Sequence, residues 1–247
     1  MSASRSLMMP PCLSVCPVLA KLNDAVPKGC ATWGGMLHFT VGQGEQQDHF
    51  YIHRGLICEV SPCFDAALNG YFKEAKDNVI YVDEEDSSAF RDFYRWLYDH
   101  RLPDLTEPLC LIKLAIFADA RIIDALRIAA IDALVESINQ YWRIPVCTIP
   151  YVYEHTRPNS GLRKLVVDMV LRTQLSITDA GPGVDVPEFV ADYNTALRGF
   201  SGSGRILSQA LWRNTNRCEY HEHVHDPIGW APPTKMINLQ ETKETST

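Results

Sequence analysis

Apolar and polar positions change period at short intervals between Phe50 and Tyr98, and this stretch carries the clearest pattern in the 247-residue chain. Phe50 and Ile52 alternate with Tyr51 and His53 at the two-residue step of a half-buried strand. Leu56, Ile57 and Val60 then take up helical spacing. Val79, Ile80, Tyr81 and Val82 predict a further strand. After them Phe90, Phe93, Tyr94 and Leu97 recur at the three- and four-residue steps of one helix face. The acidic run from Asp83 to Asp86 between these two segments suits a helix N-terminus, where negative charge is favoured. Upstream, Met36 to Val41 predicts a first strand. Gly42-Gln43-Gly44 and the polar Glu45 to Asp48 supply a turn into the strand at Phe50, so the two form a hairpin. The unit is α+β.

Downstream the period is helical. Thr106 and Pro108 mark a helix start, because proline's missing N–H would be unpaired in the first turn anyway, and Leu109 to Ala120 continues it. From Asp124, Leu126, Ala130, Leu134 and Ile138 recur every four residues, with Ala129 and Ala133 widening the stripe. Together these predict an α-hairpin packed beside the mixed unit. Tyr141, Trp142 and Pro145 close it. A helix follows from Ser160 to Asp168, with Leu162, Leu165, Val166 and Met169 on one side, and another is predicted over Pro187 to Arg198. Gly199 to Gly204 reads as a flexible linker, and beyond about Asn214 the chain is charged and aperiodic. Residues 1–30, rich in proline and serine, read as a lead-in without a core. No internal repeat is visible.

Four words in order carry a family resemblance. His53-Arg54-Gly55-Leu56-Ile57-Cys58 is similar to "VHK-x-LLC", Ser61-Pro62-Cys63-Phe64 to "SPFF", Gly70 to Ala75 to "G-x-FKEA", and Phe93 to Tyr98 to "F-x-x-WLYT". These are words of BTB/POZ domains, above all those of the short BTB proteins of filamentous fungi. Phe117 to Leu126 resembles the family's "FAD-K/R-x-x-I-x-x-L", and Ile149 to Thr156 with Leu162 to Asp168 resembles the "YVYENT…S-x-LRKLLVD" that follows the domain in the fungal set. The resemblance implies a BTB/POZ fold, a small mixed sheet flanked by α-helical hairpins, with a helical C-terminal extension. The expected division is a disordered segment at 1–32, the BTB/POZ domain at 33–136, the extension at 137–213 and a flexible His-containing tail at 214–247.

Composition narrows the partners. A net charge of -7 argues against nucleic acid as the main ligand, because phosphate binding needs clustered positive charge. No run of about 18 apolar residues occurs, so no membrane span is predicted. Pro10, Pro11 and Pro17 interrupt the apolar N-terminus and argue against a signal peptide. Cys58, Cys63 and Cys110 fall in periodic apolar segments, where cysteine behaves as a small hydrophobe. An intracellular protein, cytoplasmic or nuclear, is therefore expected.

Candidate chemistry is sparse. Ser61 before Pro62 reads as a helix cap, and no Ser-His-Asp or phosphate-loop pattern is present, so no enzyme, catalytic residue or cofactor is predicted. Cys218, His221, His223 and His225 bring a thiolate and alternating imidazoles within eight positions, which is either a solvated His-rich tail or a zinc site. The resemblance implies protein partners. One is a second copy of the chain, met through His53 and Arg54. Another is a cullin scaffold, which adaptors of the family engage through a hydrophobic-x-Glu motif matched here by Phe72 and Glu74. Phe72 packing inward with Glu74 merely solvated is the competing account. Gly34-Gly35-Met36 stands where many members carry an acidic residue that meets the partner's basic pair, so Arg54 lacks that counter-charge.

Overall fold

The computed structural model describes residues 34–44, 47–69, 79–82, 87–142, 146–173, 185–200 and 208–222. Expectations placed on residues 1–33, on the family word at 70–75, on the acidic run at 83–86 and on the Gly-Ser run after Phe200 lie outside these residues, as does everything beyond Glu222.

Three strands form the sheet: β1 (Met36–Val41), β2 (Asp48–His53) and β3 (Val79–Val82), in the order β2-β1-β3. β2 runs antiparallel to β1 as the hairpin pattern requires, and β3 runs parallel to it after a crossover. The chain leaves β1 through Gly42, whose φ of 88° is one that residues with a Cβ avoid, and its N–H donates to the Val82 carbonyl at 3.1 Å. Alternation puts Leu37, Phe39, Val41, Ile52, Ile80 and Val82 on the buried face.

Two short helices, α1 (Arg54–Val60) and α2 (Pro62–Asn69), lie between β2 and β3, and α3 (Ser87–Asp99) follows β3. Ser61 caps α2 as its sequence context predicts: its hydroxyl accepts the Phe64 N–H at 3.2 Å. The same hydroxyl donates to the Arg121 carbonyl at 2.6 Å. The core is aromatic where these helices meet the sheet. Phe39 stands edge-on to Phe64 at 5.7 Å, Phe90 lies 5.4 Å from Phe39, and Phe93 lies 5.0 Å from Phe117.

Phe117 belongs to α4 (Pro108–Ala120), which pairs with α5 (Asp124–Tyr141) in the predicted α-hairpin. Leu126, Ala130, Leu134 and Ile138 are buried as their spacing requires. Polar side chains of α5 are buried as well: Arg127 and Ser137 beside the apolar stripe, and Asp132 and Asn139 opposite it. A short 3-10 turn (Val146–Thr148) leads into α6 (Ile149–His155), α7 (Gly161–Thr173) and α8 (Pro187–Phe200). α7 is buried nearly all round, with Lys164 exposed.

Residues 214–222, assigned on sequence to the tail, are packed. After α9 (Gln209–Trp212) the chain turns through a second 3-10 segment (Arg217–Glu219) and lies across α5 and α7, with Trp212 and Tyr220 fully buried. This returning segment, here the clasp, meets Arg127, Asp132 and Glu136 of α5, while Ser137 donates to the Leu105 carbonyl at 2.6 Å.

Candidate protein-interaction surfaces

The outer face of the sheet carries Met36, His38 and Thr40 from β1, His49 and Tyr51 from β2, and Val79 and Tyr81 from β3, set side by side by the register. Met36 is 46% exposed, Tyr51 56% and Tyr81 57%, among the most exposed large apolar side chains of the described residues. Aromatic side chains with a polar tip are the residue types that protein interfaces favour. The strand alternation read from the sequence already set Tyr51 apart from Phe50 and Ile52. The grouping of the outer-face residues needed the β1–β3 pairing, which no local pattern reveals.

The basic pair lies at the corner where β2 becomes α1. His53 donates its backbone N–H to the Tyr98 hydroxyl at 3.2 Å, and its Nδ1 lies 2.9 Å from the same oxygen. Arg54 turns back along its own chain. Its Nη2 donates to the Leu68 carbonyl at 2.8 Å and to Asn69 Oδ1 at 2.9 Å, so the guanidinium sits at the negative end of α2. The charge left without an acidic partner on β1 is met by a helix terminus. Phe72 and Glu74 lie outside the described residues.

The clasp is held by ion pairs and hydrogen bonds. Arg217 Nη2 meets Glu136 Oε2 at 2.7 Å, Tyr220 donates to Asp168 Oδ2 at 3.1 Å, and His221 Nε2 lies 3.1 Å from Asp132 Oδ1. Glu222 takes the Gly161 N–H on Oε1 at 2.6 Å and pairs with both Arg157 and Arg127. Burial raises the Tyr220 hydroxyl well above its ordinary value and the Asp168 charge adds to this, so the hydroxyl stays a donor. Burial also pushes the Glu136 carboxyl up, but hydrogen bonds from Arg217 and Asn139 outweigh it and hold the group below the usual carboxylate range.

Of the zinc candidates, Cys218 and His221 are described while His223 and His225 lie outside the described residues. Cys218 is half-buried in the 3-10 turn. His221 has no exposed side-chain surface, so a zinc ion bound by this set must draw Nε2 from Asp132 or use the other ring nitrogen. Among the described residues no three His, Cys, Asp or Glu side chains converge as a metal site would require. The thiols in the family words are inert by environment. Burial, reinforced by Asp65, pushes the Cys58 thiol up to about 11, and burial raises Cys63 despite the nearby Arg121.

No helix of the described residues is long and apolar enough to cross a membrane. No curated protein matches the chain. The BTB/POZ domain family model matches residues 38–126, from the third residue of β1 to the first turn of α5. With a three-stranded mixed sheet and flanking helices about this match, the chain carries a BTB/POZ domain at residues 38–126.

Proposed function

We propose that this chain is a non-catalytic adaptor acting inside the cell through protein contacts, either by self-association or by joining a partner to a larger assembly such as a cullin-type ubiquitin ligase. The observation that carries the reading is the BTB/POZ domain at residues 38–126, since BTB/POZ domains are protein-interaction modules. Exposed Met36, Tyr51 and Tyr81 on one sheet face support it, being rigid, amphipathic contact surface on ordered strands.

Two measurements test the two routes. Capture of a purified cullin scaffold is expected with the unaltered chain and to fall with Phe72→Ala and Glu74→Ala. Equal capture by all three rejects the hydrophobic-x-Glu assignment. Light scattering at micromolar concentration is expected to give twice the mass of one chain. A single-chain mass together with no cullin capture overturns the adaptor reading in both forms.

A further inference from the structure

We propose that His38 and His49 form a binding site for a divalent transition-metal ion of the imidazole-preferring group, Ni2+, Cu2+ or Zn2+, on the outer face of the sheet. The two residues come from different strands and are locked in place by the ladder: His38 lies opposite Tyr51, Thr40 lies opposite His49, and the two imidazoles are therefore diagonal neighbours. His38 Nε2 and His49 Nδ1 are 3.1 Å apart. With metal–nitrogen bonds of about 2.0–2.1 Å, two ligands stand roughly 3.4 Å apart at the tetrahedral angle and roughly 2.9 Å apart at a right angle. The observed spacing falls between these two. The strands thus hold the nitrogens at the bite of a chelate: without an ion one nitrogen donates its proton to the other, and an ion takes that proton's place once the donor ring carries it on its other nitrogen.

The surroundings favour this use. Tyr51 stacks on the His38 ring at 4.9 Å and 12°, which restricts that ring, and Thr40 Oγ1 lies 3.5 Å from His49 Nδ1. His49 is exposed and His38 partly so, giving an ion and its waters access without opening the fold. The nearby carboxylate of Asp48 is taken by Arg91 at 2.7 Å. Two imidazoles without a carboxylate select borderline metals over magnesium or calcium. Because no third His, Cys, Asp or Glu of the described residues joins them, the remaining positions belong to water and the ion is exchangeable. This site shares no residue with Cys218, His221, His223 and His225.

The test uses the full chain carrying Cys218→Ser, His223→Ala and His225→Ala, so that the C-terminal set does not contribute. Calorimetric titration with Ni2+ is expected to show one binding event per chain. His38→Ala and His49→Ala, each added to that protein, are both expected to abolish it while leaving the melting temperature and far-UV dichroism of the metal-free protein unchanged. Zn2+ is expected to shift the ring-nitrogen resonances of both histidines. The proposal is overturned if the triple variant binds no Ni2+, if binding survives either added substitution, or if Zn2+ leaves either ring resonance in place.

Discussion

Ser61 is fully buried, and its hydroxyl works in two directions, accepting from the first turn of α2 and donating to the carbonyl of Arg121 in the turn between α4 and α5. Ser61→Ala removes a cap and strands a carbonyl, so it is expected to cost about 1–3 kcal/mol in urea unfolding. Gly161 faces a different constraint. A Cβ there would run into the carbonyl oxygen of Tyr220, and the residue's N–H is already given to Glu222. Gly161→Ala is thus expected to destabilise by about 1–3 kcal/mol, against the usual gain from alanine in a helix, and a lower melting temperature is the reading that checks it. Glu136 gives a pH signature. Its folded-state value is depressed, so its contribution is present above the ordinary carboxylate range and is lost as pH falls through the depressed value. The stability gap between the unaltered protein and Glu136→Gln should therefore shrink from pH 7 toward pH 3. It should shrink with added salt too, because the Glu136 side chain is 42% exposed.

The clasp is the element that local pattern does not reveal. Strands β1, β2 and β3 and helices α3 and α5 are legible because each carries apolar residues at its own period, and α4 because it is a long apolar run that opens on proline. Residues 214–222, Asn-Thr-Asn-Arg-Cys-Glu-Tyr-His-Glu, present no stripe; they bind through polar side chains to groups more than 50 residues away, as Arg217 does to Glu136 and Tyr220 to Asp168. For the same reason Asp132 and Asn139, opposite the apolar stripe of α5, look in sequence like a solvated helix face. Trp212 anchors the segment from within, with no exposed surface. Trp212→Ala is expected to cost about 3–5 kcal/mol and to raise binding of a hydrophobic dye, as measured by denaturant titration and fluorescence. A substitution at the exposed Leu197 of α8 should do neither.

For the molecule as a whole, the family words identified the BTB/POZ domain, yet they said little about which surface works. The sheet's outer face took shape only once β3 was seen to pair with β1, placing Tyr81 opposite Thr40 and across β1 from the His38, His49 and Tyr51 cluster. Phe72 and Glu74 were legible as a motif, and their test is the capture experiment. The clasp also bears on how the protein is made. Its contacts reach from Arg127 and Asp132 to residues 217–222, so during synthesis the BTB/POZ domain is complete while the segment that will cover α5 is still being added. Until then Arg127, Asp132 and Glu136 stand without the partners that Glu222, His221 and Arg217 bring to them.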